Sequence, residues 1–175
     1  MAQLPTFAQL KPNYLLGKGS DVLRTIGGKI GNLDPGTNTC VMRMSRAFNY
    51  AGKGFEIPPN SAQLRSLPGA DGKNYAYNVQ DFLAYLRRVY GPPSITMKYE
   101  KDEKESSRPF LTKTGIIAWH IKGWSDATGH FTLWDGSTGL YEGEHDYFVD
   151  FPITVDMGHG KAHTIRETQA DLWIC

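Results

Sequence analysis

The stretch Asp34-Pro35-Gly36-Thr37-Asn38-Thr39-Cys40, running straight into Val41-Met42-Arg43-Met44-Ser45-Arg46-Ala47-Phe48-Asn49-Tyr50, decides how this chain is read. The residues before Cys40 are turn formers. In those that follow, Val41, Met44, Ala47 and Phe48 recur at the three- and four-residue spacing of one helix face. Asn38 and Thr39 are N-cap candidates and Gly52 is a stop signal. The pattern predicts a helix whose first turn carries Cys40. Unpaired N–H groups and the helix dipole at that point favour a thiolate over a thiol, and a thiolate that a histidine can reach is a nucleophile. A free cysteine is otherwise a small buried apolar residue, so the reading depends on finding a base.

Working outward, Ser20-Asp21-Val22-Leu23-Arg24-Thr25-Ile26 reads as a capped helix start, running to about Ile30 before Gly31-Asn32. Residues 52–74, rich in Gly, Pro, Asn and Ser, read as a loop. Asn78 caps a third helix with Asp81 at its third position. Its apolar face is Val79, Phe82, Leu83, Leu86 and Val89, and Gly91-Pro92 ends it. Beyond it the period becomes extended. Residues 114–121 and 129–134 read as strands, Asp135-Gly136 as the turn after the second, and residues 147–155 and 169–175 as further short strands. Helices first and strands after argue an α+β fold class, with N-terminal helices packed on a mainly antiparallel sheet. The 175 residues show no repeat and no linker, which predicts a single domain over 1–175.

Charge is balanced, 19 Lys and Arg against 18 Asp and Glu, with no basic face, which argues against nucleic acid as a partner. The run Glu100-Lys101-Asp102-Glu103-Lys104-Glu105 alternates in sign and reads as a solvated loop. No stretch approaches the roughly 20 apolar residues of a membrane span. Met1-Ala2-Gln3-Leu4-Pro5-Thr6-Phe7 lacks the basic and apolar regions of a secretory signal, so synthesis in the cytoplasm without a cleaved signal peptide is expected. Cys40 and Cys175 are the only cysteines, too few for a disulfide scaffold, and pairing them would consume the nucleophile.

Of the five histidines, His130 is the preferred base. It opens a strand after the turn-prone Ser125-Asp126-Ala127-Thr128 and Gly129, and a strand start facing a helix N-terminus suits a thiolate–imidazolium pair. His120, inside an apolar strand, reads as a wall histidine satisfied by a partner. His159 and His163 have the spacing of a zinc site, but Gly158 and Gly160 argue against the helix it needs, so neither metal nor cofactor is expected. A third group should orient the imidazole. Asp135 lies five residues along the strand and on its opposite face. The returning segment offers Glu142, Glu144 and Asp146, with Asp146 preferred and Glu144 next. The Cys40 N–H would stabilise an oxyanion, helped by the Asn38 side-chain amide, for which a helix cap is an equal explanation. Tyr75, Tyr77, Trp119 and Trp124 are candidates to line a groove. Trp134 suits the core better.

These residues carry a resemblance to the fourth family of type VI secretion amidase effectors, papain-like cysteine peptidases related to bacterial cell-wall endopeptidases. It rests on Asn38-Thr39-Cys40-Val41-Met42-Arg43-Met44-Ser45, then Tyr75-Ala76-Tyr77 leading into the Asn78 helix. The third block is Gly115-Ile116-Ile117-Ala118-Trp119 continuing to Gly129-His130-Phe131-Thr132-Leu133-Trp134-Asp135-Gly136. The resemblance implies a papain-like fold with Cys40 as nucleophile and His130 as general base. It implies hydrolysis of the amide between D-glutamate and meso-diaminopimelate in peptidoglycan stem peptides. It further implies export by the type VI apparatus, action in the periplasm of target bacteria, and a cognate immunity protein. One departure concerns the third catalytic residue. Similar effectors often carry a cysteine-bracketed loop after the tryptophan-acid-glycine turn, with the aspartate inside it, whereas residues 137–146 hold no cysteine here. Two other readings stand beside this one: a non-catalytic binding domain on the same fold, and a cysteine-dependent acyltransferase.

Overall fold

The first helix is fixed by a reciprocal cap. Thr6 Oγ1 accepts from the Gln9 N–H at 3.3 Å while Gln9 Oε1 accepts from the Thr6 N–H at 2.8 Å, which nucleates α1, Phe7–Leu10. The computed structural model describes residues 2–99, 110, 112–123, 128–136, 140–142, 153–156 and 162–175. Helix α2, Gly19–Ile26, buries Val22, Leu23 and Ile26 and ends earlier than its sequence suggests. Gly27 and Gly28 turn the chain at φ of 62° and 59°. A Cβ on Gly28 would lie 2.5 Å from the Gly69 backbone, so only glycine fits this crossing. A short 3-10 turn, Ile30–Asn32, follows.

Helix α3, Cys40–Tyr50, forms where the periodicity placed it, but it is buried nearly all round. Arg43, Ser45 and Asn49 are buried with the apolar face, so the helix is a central strut rather than an amphipathic cover. The loop that follows contains a small antiparallel hairpin of β1, Ser66–Pro68, and β2, Asn74–Ala76. It is sewn to α3 by side chains: Ser45 Oγ accepts from the Ala76 N–H at 3.0 Å, and Asn49 Nδ2 donates to the Asn74 carbonyl at 2.8 Å. Helix α4, Val79–Tyr90, has the expected boundaries. Asn78 Oδ1 accepts from the Asp81 N–H at 3.0 Å, and Gly91, at φ 96°, ends it.

The strands are β3, Ile95–Lys98; β4, Thr114–Lys122; β5, Gly129–Asp135; β6, Leu140–Glu142; β7, Ile153–Asp156; and β8, Ala162–Ile174. They form one antiparallel sheet in the order β3-β8-β4-β5-β6, with β7 on β8. Alternation along β4 and β5 builds two cores. On one face Ile116, Ala118, Phe131, Leu133 and Trp173 pack with Val41, Met44 and Phe48 of α3 and Phe82 and Leu86 of α4. On the other, Ile117, Trp119, Trp134 and Leu172 pack with Phe110. The indole N–H groups of Trp134 and Trp173 donate to the carbonyls of Phe110 (2.9 Å) and Gly91 (3.0 Å), so burying the rings leaves neither donor unpaired. Strand β3 has little signal in the sequence, because it is four residues long and follows Pro92-Pro93. Among the described residues no helix is long and apolar enough to cross a membrane.

Phe48 ties α3 to α4, with its ring centroid 5.9 Å from Phe82 and 5.8 Å from Tyr90, and none of it is exposed. Phe48→Ala should therefore lower unfolding free energy by about 3–5 kcal/mol in urea denaturation, the cost of a core phenylalanine cavity. A loss below about 1 kcal/mol would mean that the helix pair does not depend on this contact.

Candidate active site

Cys40 is the first residue of α3, and its own turn holds it there. Its N–H donates to Asn38 Oδ1 at 3.0 Å, so Asn38 caps locally through its carbonyl oxygen. Thr39, the N-cap residue, makes no side-chain cap bond. Its Oγ1 instead accepts from Arg43 Nε at 3.2 Å. The sulfur is almost wholly enclosed, with Cys40 2% exposed. Burial pushes the thiol up to about 11, against hydrogen bonds from the backbone of Phe131 and Val41 and the charge of Arg43, all of which favour the thiolate. The helix terminus thus acts in the direction the sequence suggests, but desolvation outweighs it while no opposite charge is paired with the sulfur.

The Phe131 bond locates the thiol relative to β5. Phe131 pairs with Ala118 of β4, and its main chain reaches Cys40 from that strand. Cys40 also packs in the same core as Phe131, so the first turn of α3 lies beside the peptide that joins His130 to Phe131. Alternation puts the His130 side chain on the face it shares with Trp119, while α3 packs on the Phe131 face. His130 itself is half-buried at the start of β5, opposite Trp119. Tyr14 closes the same region, its hydroxyl donating to Thr132 Oγ1 at 3.5 Å.

His120 occupies a different place. It pairs with Gly129, one register step from His130, so the two histidines point to opposite faces of the sheet. Its Nε2 lies 3.0 Å from Asp171 Oδ2 on β8. By alternation His120 shares the helix-packed face of the sheet with Ala118, and its ring is bonded toward β8 rather than toward β5. Asp171, which sequence reasoning missed, is fully buried and is a node: Arg87 donates to it at 2.8 Å, Thr96 at 2.7 Å and Gln169 at 2.8 Å. Burial alone would push its carboxyl up, but the bonds from His120, Thr96 and Gln169 prevail and hold it at about 2. This network joins α4, β3, β4 and β8. It makes His120 a partnered wall residue, as its apolar strand suggests.

The candidates for the third group scatter. Glu144 and Asp146 lie outside the described residues. Glu142 is placed by its backbone opposite Leu133, three residues along β5 from His130. Asp135, at the far end of β5, forms an ion pair with Lys11 at 3.7 Å. Two of the aromatic candidates are corrected. Tyr75 is fully buried, its hydroxyl donating to Asp71 at 2.6 Å, and Trp119 is buried in the second core, so neither lines an open groove. Trp134 is core, as its alternation suggests. Trp124 lies outside the described residues. His163 is on β8, in a strand where the zinc spacing would need a helix, and His159 lies outside the described residues. Cys40 and Cys175 are both free thiols.

With this geometry in place, similarity to known proteins becomes informative. A family model described as "Type VI secretion system (T6SS), amidase effector protein 4" matches residues 37–173. The chain is similar to the type VI effector Tae4 from Enterobacter cloacae at 29% identity, with a TM-score of 0.76 over 99% of both chains. It is similar to a chain of the Tae4-Tai4 effector-immunity complex from Salmonella Typhimurium at 29% identity and a TM-score of 0.75, covering 98% of this chain and 99% of that one. A third likeness is to Tae4 from Salmonella typhimurium in complex with the immunity Tai4 from Enterobacter cloacae. There the identity is 30% and the TM-score 0.73, over 98% and 99% of the two chains. No curated protein sequence matches the chain.

The Asp171 node has a pH signature. A carboxylate held at about 2 against its ordinary 3.8 contributes stability that is present above the ordinary value and lost as pH falls through about 2. Wild type should exceed Asp171→Asn by about 2 kcal/mol near pH 6. In chemical denaturation at stepped pH the gap should close between about pH 4 and pH 2. A gap that stays constant to about pH 2 would show that the carboxylate charge is not what the network stabilises.

Proposed function

The chain belongs to the type VI secretion system amidase effector protein 4 family, and from that premise we propose that it is a cysteine amidase that cleaves peptidoglycan stem peptides between D-glutamate and meso-diaminopimelate. Cys40 attacks the amide carbonyl. His130 takes the thiol proton and returns it to the leaving amine, and water then resolves the acyl-enzyme with the same imidazole as base. The observation that carries this reading is the packing of Cys40, first residue of α3, in one buried cluster with Phe131 of β5, which sets the first turn of α3 against the strand residue next to His130.

Burial of the sulfur determines how the pair must work. A lone thiolate there is costly, so the proton leaves only when an imidazolium forms beside it, and the two groups titrate as one unit. The Cys40 N–H, engaged by Asn38 Oδ1 in this structure, becomes the oxyanion donor once the substrate carbonyl displaces that oxygen. The third residue comes from the segment after β6, with Asp146 and Glu144 as the candidates. The protein acts in the periplasm of rival cells after export by the type VI apparatus. A cognate immunity protein, such as accompanies the related effectors, would cover the cleft in the producer. The near-complete enclosure of Cys40 is the one observation that favours a non-catalytic binding domain instead.

Two experiments separate these readings. Incubation with diaminopimelate-type peptidoglycan, followed by mass analysis, should release fragments cut between glutamate and diaminopimelate with wild type and none with Cys40→Ala. Retained cleavage by folded Cys40→Ala would remove the mechanism. In pH-dependent alkylation of Cys40, His130→Ala should shift the reaction midpoint toward about 11, the net value that burial, the neighbouring backbone N–H groups and the Arg43 charge impose without an imidazolium, whereas His120→Ala should leave it in place and lower stability. If His120→Ala moves the midpoint and His130→Ala does not, the base is misassigned.

A further inference from the structure

Arg43 has an environment that the proposed mechanism does not use. It is 8% exposed, yet every acceptor its guanidinium reaches is neutral. Nη1 donates to the Leu15 carbonyl at 2.8 Å, Nη2 to the Gly17 carbonyl, and Nε to Thr39 Oγ1 at 3.2 Å. None of the ion pairs among the described residues involves it. A buried charge is normally paired, because desolvating it alone is expensive. Arg43 therefore keeps a positive charge inside the fold with hydrogen bonds but no anion.

Its position supplies the missing partner. Cys40 and Arg43 are three residues apart on α3, neighbours on one helix face with Cβ atoms about 5–6 Å apart. The three acceptors are not scattered either. Thr39 directly precedes the nucleophile, while Leu15 and Gly17 belong to a strap that starts at Tyr14, whose hydroxyl bonds to Thr132, two residues beyond His130. The strap thus runs from the base's strand to the nucleophile's helix, and Arg43 fastens its second end.

We propose that Arg43 is a positioning residue for the nucleophile. Its guanidinium locks the Leu15–Gly17 strap and the Thr39 turn onto α3, and it holds an uncompensated cation one turn from the Cys40 sulfur, where a thiolate completes the pair. The charge of Arg43 acts on Cys40 in the direction that favours the thiolate, in keeping with this arrangement. The inference rests on Cys40 being the nucleophile, and it adds a second cation to the imidazolium the mechanism already requires. Lysine carries the same charge but lacks the planar fork, so charge and clamp are separable by substitution.

The test is the pH dependence of Cys40 alkylation by iodoacetamide, read by mass spectrometry of the Cys40 peptide so that Cys175 does not contribute. It is run on wild type, Arg43→Met, Arg43→Gln and Arg43→Lys, each checked for folding by circular dichroism. The two neutral variants should raise the midpoint by about one pH unit and slow alkylation about tenfold near neutral pH, and Arg43→Lys should restore the wild-type midpoint. A folded neutral variant with the wild-type midpoint overturns the proposal, as does Arg43→Lys behaving like the neutral variants. If neither neutral variant folds, Arg43→Lys decides alone: an unshifted midpoint supports the proposal and a raised one overturns it. Loss of folding in all three would make the residue purely structural and overturn it too. A Cys40 that is unreactive in wild type would instead refute the nucleophile assignment beneath it.

Discussion

Burying α3 on all sides creates the constraint on which the rest of the structure depends. A helix that carries Arg43, Ser45 and Asn49 into the interior must find partners for every polar atom, because an unpaired buried group costs about 1–3 kcal/mol. The partners come from segments that have little regular structure of their own. Asn49 Oδ1 accepts from the Ile57 N–H at 2.9 Å and its Nδ2 donates to the Asn74 carbonyl, Ser45 takes the Ala76 N–H, and Arg43 takes the carbonyls of Leu15 and Gly17. Side chains of α3 thus do for these loops what a strand partner would do for a strand. The helix is buried because the loops wrap it, and the loops are ordered because the helix is polar at the right positions.

The same burial sets the terms for chemistry at the helix's first residue. Desolvation raises the Cys40 thiol more than the helix terminus and the neighbouring N–H groups lower it. An enclosed sulfur of this kind is quiet by itself and becomes a nucleophile only beside a positive charge, which protects it from indiscriminate reaction. Under the proposed mechanism, catalytic competence depends on registration between α3 and β5, not on the cysteine alone. That registration comes from packing on the helix side of the sheet, where Phe131 meets Phe82 edge-on at 5.2 Å while its main chain reaches the thiol.

The sheet also keeps two histidines apart. Strand alternation sends His130 and His120 to opposite faces, and Asp171 takes His120 into a network with Arg87, Thr96 and Gln169. The imidazole nearest in sequence to the catalytic candidate is thereby committed to joining α4 to β3, β4 and β8.

Much of this was legible in the residues. The spacing of Val41, Met44 and Phe48 fixed α3, Asn78 and Gly91 bounded α4, and the change of period after residue 113 marked β4 and β5, because these signals are local and each element expresses them in its own sequence. The Thr6–Gln9 pair carries a local cap signal for α1, but a four-residue helix is too short to add periodicity to it. Cys40 and His130 stood out by residue type and position. What the chain could not disclose from its order was everything set by approach of distant segments. Arg43 and Asn49 lie outside the apolar spacing of α3 and are buried only because other segments cover them, Asp171 is unremarkable until four donors converge on it, and α2 looks longer than it is until the Gly69 backbone arrives at Gly28. The sequence by itself determined which elements form and which atoms are chemically able to react. Only the tertiary structure decided which of them meet and how buried they are, because proximity and desolvation are properties of space rather than of neighbours along the chain.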